Sequence, residues 1–144
     1  MGTTSGWRQS IDFRTGIITT TARWTAPDGH VTAIRYQVLT DRANPNLGLV
    51  SLTLVPQWSG TAVVTDAIDG TPATLSSQVS KGWTPSQRRD WVTVQSAGTN
   101  ITVALASELA LSGDIAAAIT PVDPTTPQSV GQQLSFPVTA GQSY

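Results

Sequence analysis

Leu49-Val50-Ser51-Leu52-Thr53-Leu54-Val55, then Pro56-Gln57-Trp58-Ser59-Gly60, then Thr61-Ala62-Val63-Val64-Thr65-Asp66-Ala67-Ile68-Asp69-Gly70 is the stretch whose reading decides the fold. Two runs rich in branched residues flank a segment punctuated by Pro and Gly, which is the sequence form of a β-hairpin. Neither arm holds a plausible nucleophile, base or metal cluster. The stretch argues for β structure and is silent on chemistry.

Composition points the same way. The chain has 144 residues, one-domain length, and a domain of that size buries roughly 68 to 70 % of its unfolded surface, enough for one core. Thr, Ser, Val, Ala and Gly dominate while Lys is nearly absent. Branched residues suit a pleated surface and few long helix formers are present, so the chain reads as all-β. A net charge of −1 offers no basic face for phosphates, which argues against nucleic acid as a partner. No apolar run reaches the roughly 18 residues of a membrane span. The absence of Cys excludes a disulfide frame and a thiolate metal site and fits a bacterial secreted protein as easily as a cytosolic one, so the compartment stays open, with a secreted or cell-surface location favoured over a cytoplasmic one. Residues 1–6 lack the regions of a signal peptide and read as an added or flexible lead-in to a β-sandwich over 7–144.

Taken in order, Trp7 to Phe13 alternates as a short strand and Arg14-Thr15-Gly16 turns the chain. Ile17 to Thr25 is a second strand, Pro27-Asp28-Gly29 a turn, and His30 to Leu39 a third strand, its broken parity suggesting a bulge near Ile34 or Arg35. Thr40 to Gly48 is a polar loop. Beyond the hairpin, periodicity vanishes from Thr71 to Asp90, which reads as a long binding loop or excursion. Trp91 to Gln95 and Ile101 to Leu111 are strands, although Ile101, Leu105 and Leu109 also fit a helix. Asp114 to Ile119 is ambiguous, and Pro121, Pro124 and Pro127 break the chain up to Ser129. Leu134 to Val138 is the last strand. Gln142-Ser143-Tyr144 begins a further one, so the chain reads as cut from a longer protein with an unpaired sheet edge.

Several of these segments together resemble the N-terminal domain of glycoside hydrolase family 65. The likeness lies in Ile11-Asp12-Phe13-Arg14-Thr15-Gly16, Thr19 to Trp24, Asp28-Gly29, Asp41 to Asn46, Val55 to Gly60, Asp69-Gly70 and Gly141 to Tyr144. The family includes trehalose, maltose and kojibiose phosphorylases and acid trehalase-like hydrolases. The resemblance implies an antiparallel β-super-sandwich of the galactose mutarotase-like type, incomplete here, preceding a separate (α/α)6 barrel. In the family that barrel carries the catalytic acids, while the sandwich packs on it, lends loops to the active-site mouth and helps form dimers. It therefore implies a catalytic barrel as partner, an α-glucoside as ligand, and dimerisation through a sheet face or open edge, with no catalytic residue, cofactor or metal in this chain. A free-standing carbohydrate-binding module and an Ig-like structural module of a surface protein are the alternatives.

The residues themselves support that restraint. Inverting cleavage of a glycoside needs two carboxyl groups about 6.5 to 9.5 Å apart across the sugar. The Asp residues here, including Asp12, Asp28, Asp41, Asp66, Asp69, Asp90, Asp114 and Asp123, fall mostly at strand ends and turns, where Asp bonds its own backbone. His30, the single His, follows a turn and reads as a solvent-facing hairpin residue. Trp83 and Trp91 flank Arg88, Arg89 and Asp90, and a flat indole beside charged hydrogen-bonding groups suits a sugar surface. These five are the candidate carbohydrate-contacting residues. Against that, Trp91 opens a strand and could be core, and Trp7, Trp24 and Trp58 read as core.

Overall fold

The computed structural model describes residues 2–70, 74–113, 115–122 and 127–144. Among these it holds ten strands and one short 3-10 turn: β1 (Thr3–Asp12), β2 (Ile17–Thr25), β3 (Val31–Thr40), β4 (Gly48–Pro56), β5 (Gly60–Asp69), β6 (Ser76–Thr84), the turn Pro85–Gln87, β7 (Arg89–Ser96), β8 (Thr102–Glu108), β9 (Ala118–Val122) and β10 (Ser129–Val138). The fold is all-β and its registered pairs are antiparallel. No helix among the described residues is long and apolar enough to cross a membrane. The chain divides into two compact units, Met1–Gly60 with Val138–Tyr144, and Thr61–Pro137.

The first unit is a four-stranded meander in the order β1-β2-β3-β4. Cross-strand partners share a face and successive residues alternate. One face therefore carries the rows Ile11, Ile18, Val38, Val50 and Tyr36, Leu52, with Trp24, Ile34 and Leu54 further along. The other carries Thr19, Gln37, Ser51 and Thr21, Arg35, Thr53. β1 begins at Thr3, inside the stretch read as a lead-in, because Thr3, Thr4 and Ser5 pair with Thr25, Trp24 and Arg23. The expected bulge in β3 is absent: its register runs unbroken from Val31 to Val38 against β2 and from Thr32 to Thr40 against β4. Apolar residues on both faces of β3 account for the broken parity. The bulge lies in β1 between Ser5 and Arg8, where Gly6 takes a φ of 60°.

The hairpin expected around Pro56 does not form. β4 pairs with β3, whereas β5 belongs to another sheet, paired with β10. The reason is where the intervening backbone groups go: Gln57 N–H donates to the Val31 carbonyl, the Pro56 carbonyl accepts from Gly141, and Ser59 Oγ accepts from Ala140 N–H. These contacts tie the segment to β3 and to the turn at Ala140 and Gly141. Tyr144 exchanges both backbone hydrogen bonds with Leu54, each 2.9 Å, on the outer edge of β4.

The second unit has two three-stranded sheets, β5-β10-β9 and β6-β7-β8. Its core gathers Ile68, Val92 and Val130, with Val94 packed against them. β10 is the most enclosed strand, with Val130, Leu134 and Phe136 buried. The expected long loop before Asp90 is largely strand: β6 pairs with β7 from Ser76↔Ser96 to Thr84↔Arg89. β6 has few branched residues and is held by its neighbour's ladder. Thr71–Ala73, the start of that expected loop, lie outside the described residues. Within Ile101 to Leu111, read as strand despite its fit to a helix, β8 is strand, its register Arg89↔Glu108 to Gln95↔Thr102. Pro121 does not break the chain but sits in β9 opposite Gln132, tolerated because β9 is an edge strand. Asp114, Asp123 and Pro124 lie outside the described residues.

Candidate functional site

The five residues singled out in the sequence converge on one end of the β6-β7 hairpin, where alternation divides them between two faces. Trp83 pairs with Asp90 and Gly82 with Trp91. Asp90 shares its face with the buried Val92, so Trp83 and Asp90 point toward the β5-β10-β9 sheet. Trp91 and Arg89 point outward.

On the outward face the Trp91 indole lies across Gly82: a Cβ placed there would come within 2.8 Å of Cζ2 and 2.9 Å of Cε2. Glycine is required for that approach. Arg89 donates from Nε and Nη2 to Glu108 Oε2 at 2.8 and 2.6 Å and from Nη1 to Gln87 Oε1 at 3.2 Å, all solvent-exposed. Arg88 closes the turn in the left-handed region, φ 49°, and its carbonyl accepts from the Leu109 N–H and from Gln132 Nε2.

The inward face is a polar pocket of the core. Gln132, fully buried, donates to the Arg88 carbonyl at 3.0 Å and reaches Asp66 Oδ2 at 3.5 Å. Its Oε1 accepts from Trp83 Nε1 at 3.5 Å. Ser107 Oγ donates to Asp66 Oδ2 at 2.7 Å. Asp90 has 0 % exposure, and neither carboxylate oxygen has a hydrogen-bond partner of good geometry. Burial, with the nearby charge of Asp66 adding to it, raises the Asp90 carboxyl from 3.8 to about 6, and the Ser107 backbone amide pulls slightly the other way.

Asp66, Ser107 and Gln132 were not singled out in the sequence; a signal existed only for the inward turn of Asp90. Asp90 has the parity of Val92 and Val94, so a strand reading of Trp91 to Gln95 already turns it inward. A second cluster was also missed. His30 stacks on Trp58, centroids 4.7 Å apart and planes 12° off parallel, and holds Asp28 through Nδ1 at 3.0 Å. Trp58 Nε1 donates to the buried Thr32 Oγ1 at 3.0 Å. His30 thus remains solvent-exposed, as its place after the turn implied, while one ring face packs on Trp58.

These arrangements set limits on chemistry. A glycosidic acid and base must both reach the sugar, and Asp90, the one carboxyl shifted upward among the described residues, is sealed from solvent. No group of three or more His, Cys, Asp or Glu among the described residues could hold a metal ion.

Comparison with known proteins completes the picture. The sequence profile of the glycosyl hydrolase family 65 N-terminal domain matches residues 1–144. An acid trehalase of Emericella nidulans is 30 % identical over 94 residues, 62 % of this chain and 9 % of the trehalase. A solved structure assigned as a kojibiose phosphorylase from the human microbiome superposes with a TM-score of 0.75 at 13 % identity, covering 99 % of this chain and 18 % of that one. The chain thus spans less than a fifth of either relative.

Proposed function

The chain belongs to glycosyl hydrolase family 65 as its N-terminal domain, and from that premise we propose that it is a non-catalytic domain of an enzyme acting on α-glucosides such as trehalose. It packs on a catalytic (α/α)6 barrel and helps lead sugar to it. The observation that carries this reading is the apolar face of the β1-β2-β3-β4 sheet. Ile11, Ile18, Trp24, Tyr36, Val50 and Leu52 share it and are 37 to 61 % exposed. Contiguous apolar surface of this kind marks an interaction site, because leaving it in water forgoes its burial energy. The acid trehalase and the kojibiose phosphorylase it resembles are both named for glucose disaccharides, which supports the substrate class. The test is turnover: the isolated chain, supplied with trehalose or kojibiose with and without phosphate, releases no glucose or glucose phosphate. Turnover abolished by Asp66→Asn or Asp90→Asn would overturn the reading.

A second reading, a carbohydrate-binding module, is favoured by Trp91 lying across Gly82 beside the exposed Arg89–Glu108 pair. It predicts that maltose perturbs tryptophan fluorescence and that Trp91→Ala removes the response. Trp83, turned inward with Asp90, has no such role, so Trp83→Phe keeps it. A maltose response lost only in Trp83→Phe would contradict this assignment.

A further inference from the structure

The inward face of the β6-β7 hairpin holds a feature that sugar recognition does not use. An ionised carboxylate taken out of water is costly unless paired, and a second carboxylate beside it raises the cost. Asp90 meets both conditions: it is fully buried, neither oxygen has a hydrogen-bond partner of good geometry, the Ser107 backbone amide offsets the burial only in part, and the charge that acts on it is Asp66 from the facing sheet. Asp66 is already committed, its Oδ2 accepting from Ser107 and, at longer range, from Gln132. Arg89, the neighbour on the same strand, is held on the opposite face by Glu108. Lys81, inward on β6, sends its ammonium to the Ser129 carbonyl, and Asp69 on β5 accepts from Ser129 Oγ. Arg88 contributes its carbonyl, and β9 and β10 carry no titratable residue.

We propose that Asp90, buried with the half-buried Asp66 of the facing sheet beside it, holds a proton between the two sheets of the second unit, and that their packing loosens when that proton leaves. The pair is a pH-sensitive latch: closed in acid, strained in base. The sign follows from linkage. The folded state keeps a proton that the unfolded chain releases at a lower pH, so this contribution to stability is whole below the ordinary carboxylate range. It is lost as pH rises through about 6, the value to which burial has moved Asp90. Gln132 and Trp83, which cross between the sheets at this point, are the first contacts to report the strain.

The experiment is thermal unfolding of the whole chain across the range from acid to neutral pH, for the wild type, Asp90→Asn and Asp66→Asn. The melting temperature of the wild type falls by several degrees as pH rises through about 6, and Asp90→Asn, which keeps the shape and removes the charge, flattens that limb. Infrared spectra of the wild type carry an independent readout should either variant fail to fold. A protonated-carboxyl band persists in the native protein above the pH at which exposed carboxyls have ionised, and disappears near 6. A flat wild-type profile, an unchanged limb in Asp90→Asn, or no such band overturns the proposal. So does a rise in neutral-pH melting temperature on adding calcium that Asp90→Asn abolishes, since the pair would then hold a cation in place of a proton.

Discussion

Two glycines give a direct test of the packing of the second unit, because their hypothetical side chains meet different kinds of neighbour. At Gly131 on β10 a Cβ would stand 2.7 Å from the Asp66 carbonyl oxygen and 3.1 Å from the Ala67 Cβ. Backbone cannot rotate away, so Gly131→Ala must push β5 away from the buried strand β10 by a few tenths of an ångström. Overpacking of this kind costs about 1–3 kcal/mol. Alanine also reduces the freedom of the unfolded chain, which alone stabilises by about 0.4–1 kcal/mol. The net expectation is a loss of about 1–2 kcal/mol, and with a urea m-value of about 1–3 kcal/mol/M the midpoint drops by about 0.3–2 M. At Gly82 the obstacle is the tip of a side chain, Trp91 Cζ2 at 2.8 Å. The indole can swing outward, so Gly82→Ala costs under about 1 kcal/mol but shifts tryptophan emission to the red as the ring gains solvent. The assay is urea unfolding by circular dichroism and fluorescence together. A Gly131→Ala midpoint equal to the wild type, or a larger loss at Gly82 than at Gly131, would refute the apposition of β10 with β5.

Other expectations are brief. Leu134→Ala removes a buried side chain at the centre of its sheet and costs about 2–5 kcal/mol, measured by the same unfolding. Thr32→Val leaves the Trp58 indole N–H without its acceptor and costs about 1–2 kcal/mol, while a loss below measurement would mean that the bond is replaced by water. Arg89→Ala costs under about 1 kcal/mol despite two short hydrogen bonds to Glu108, because both side chains are exposed. Asp12 and Asp41 act with opposite sign to Asp90. Arg14 N–H holds the first and the Asn44 amide the second below the usual carboxylate value, so what they contribute is present above that range and lost as pH falls through it. Asp41→Ala should therefore shrink the acid limb of the stability profile without touching the limb near neutrality.

Local structure was legible where side chains and turns decide it. Ile17–Thr25 is strand from end to end because nearly every residue there is branched or aromatic, and Gly29 turns at a φ of 87° as the Asp-Gly pair implied. Pairing was less legible. The two arms around Pro56 have the same branched composition whichever strand they join, and their partners are set by backbone groups at residues 31, 140 and 141, far off in sequence. β6 was invisible because Ser76, Ser77, Gln78, Ser80 and Gly82 carry no β signal of their own. Of the candidate site, the clustering of Trp83, Arg88, Arg89, Asp90 and Trp91 was read from adjacency. The division between an outward Trp91 and an inward Asp90 needed the register of β7. Asp66 and Gln132 reach Asp90's surroundings only through the facing sheet, which adjacency does not encode.

The most direct test concerns the exposed sheet face of the first unit. Val50→Lys with Leu52→Lys places two charges on that face, where both residues are already solvent-exposed. If the face packs on a catalytic barrel, the isolated variant melts as the wild type does, while the full-length enzyme carrying the same changes loses its soluble, active form. A full-length variant with unchanged activity would contradict the account, as would a wild-type chain whose face is occupied by a second copy, seen as a dimer in sedimentation that the two lysines dissolve.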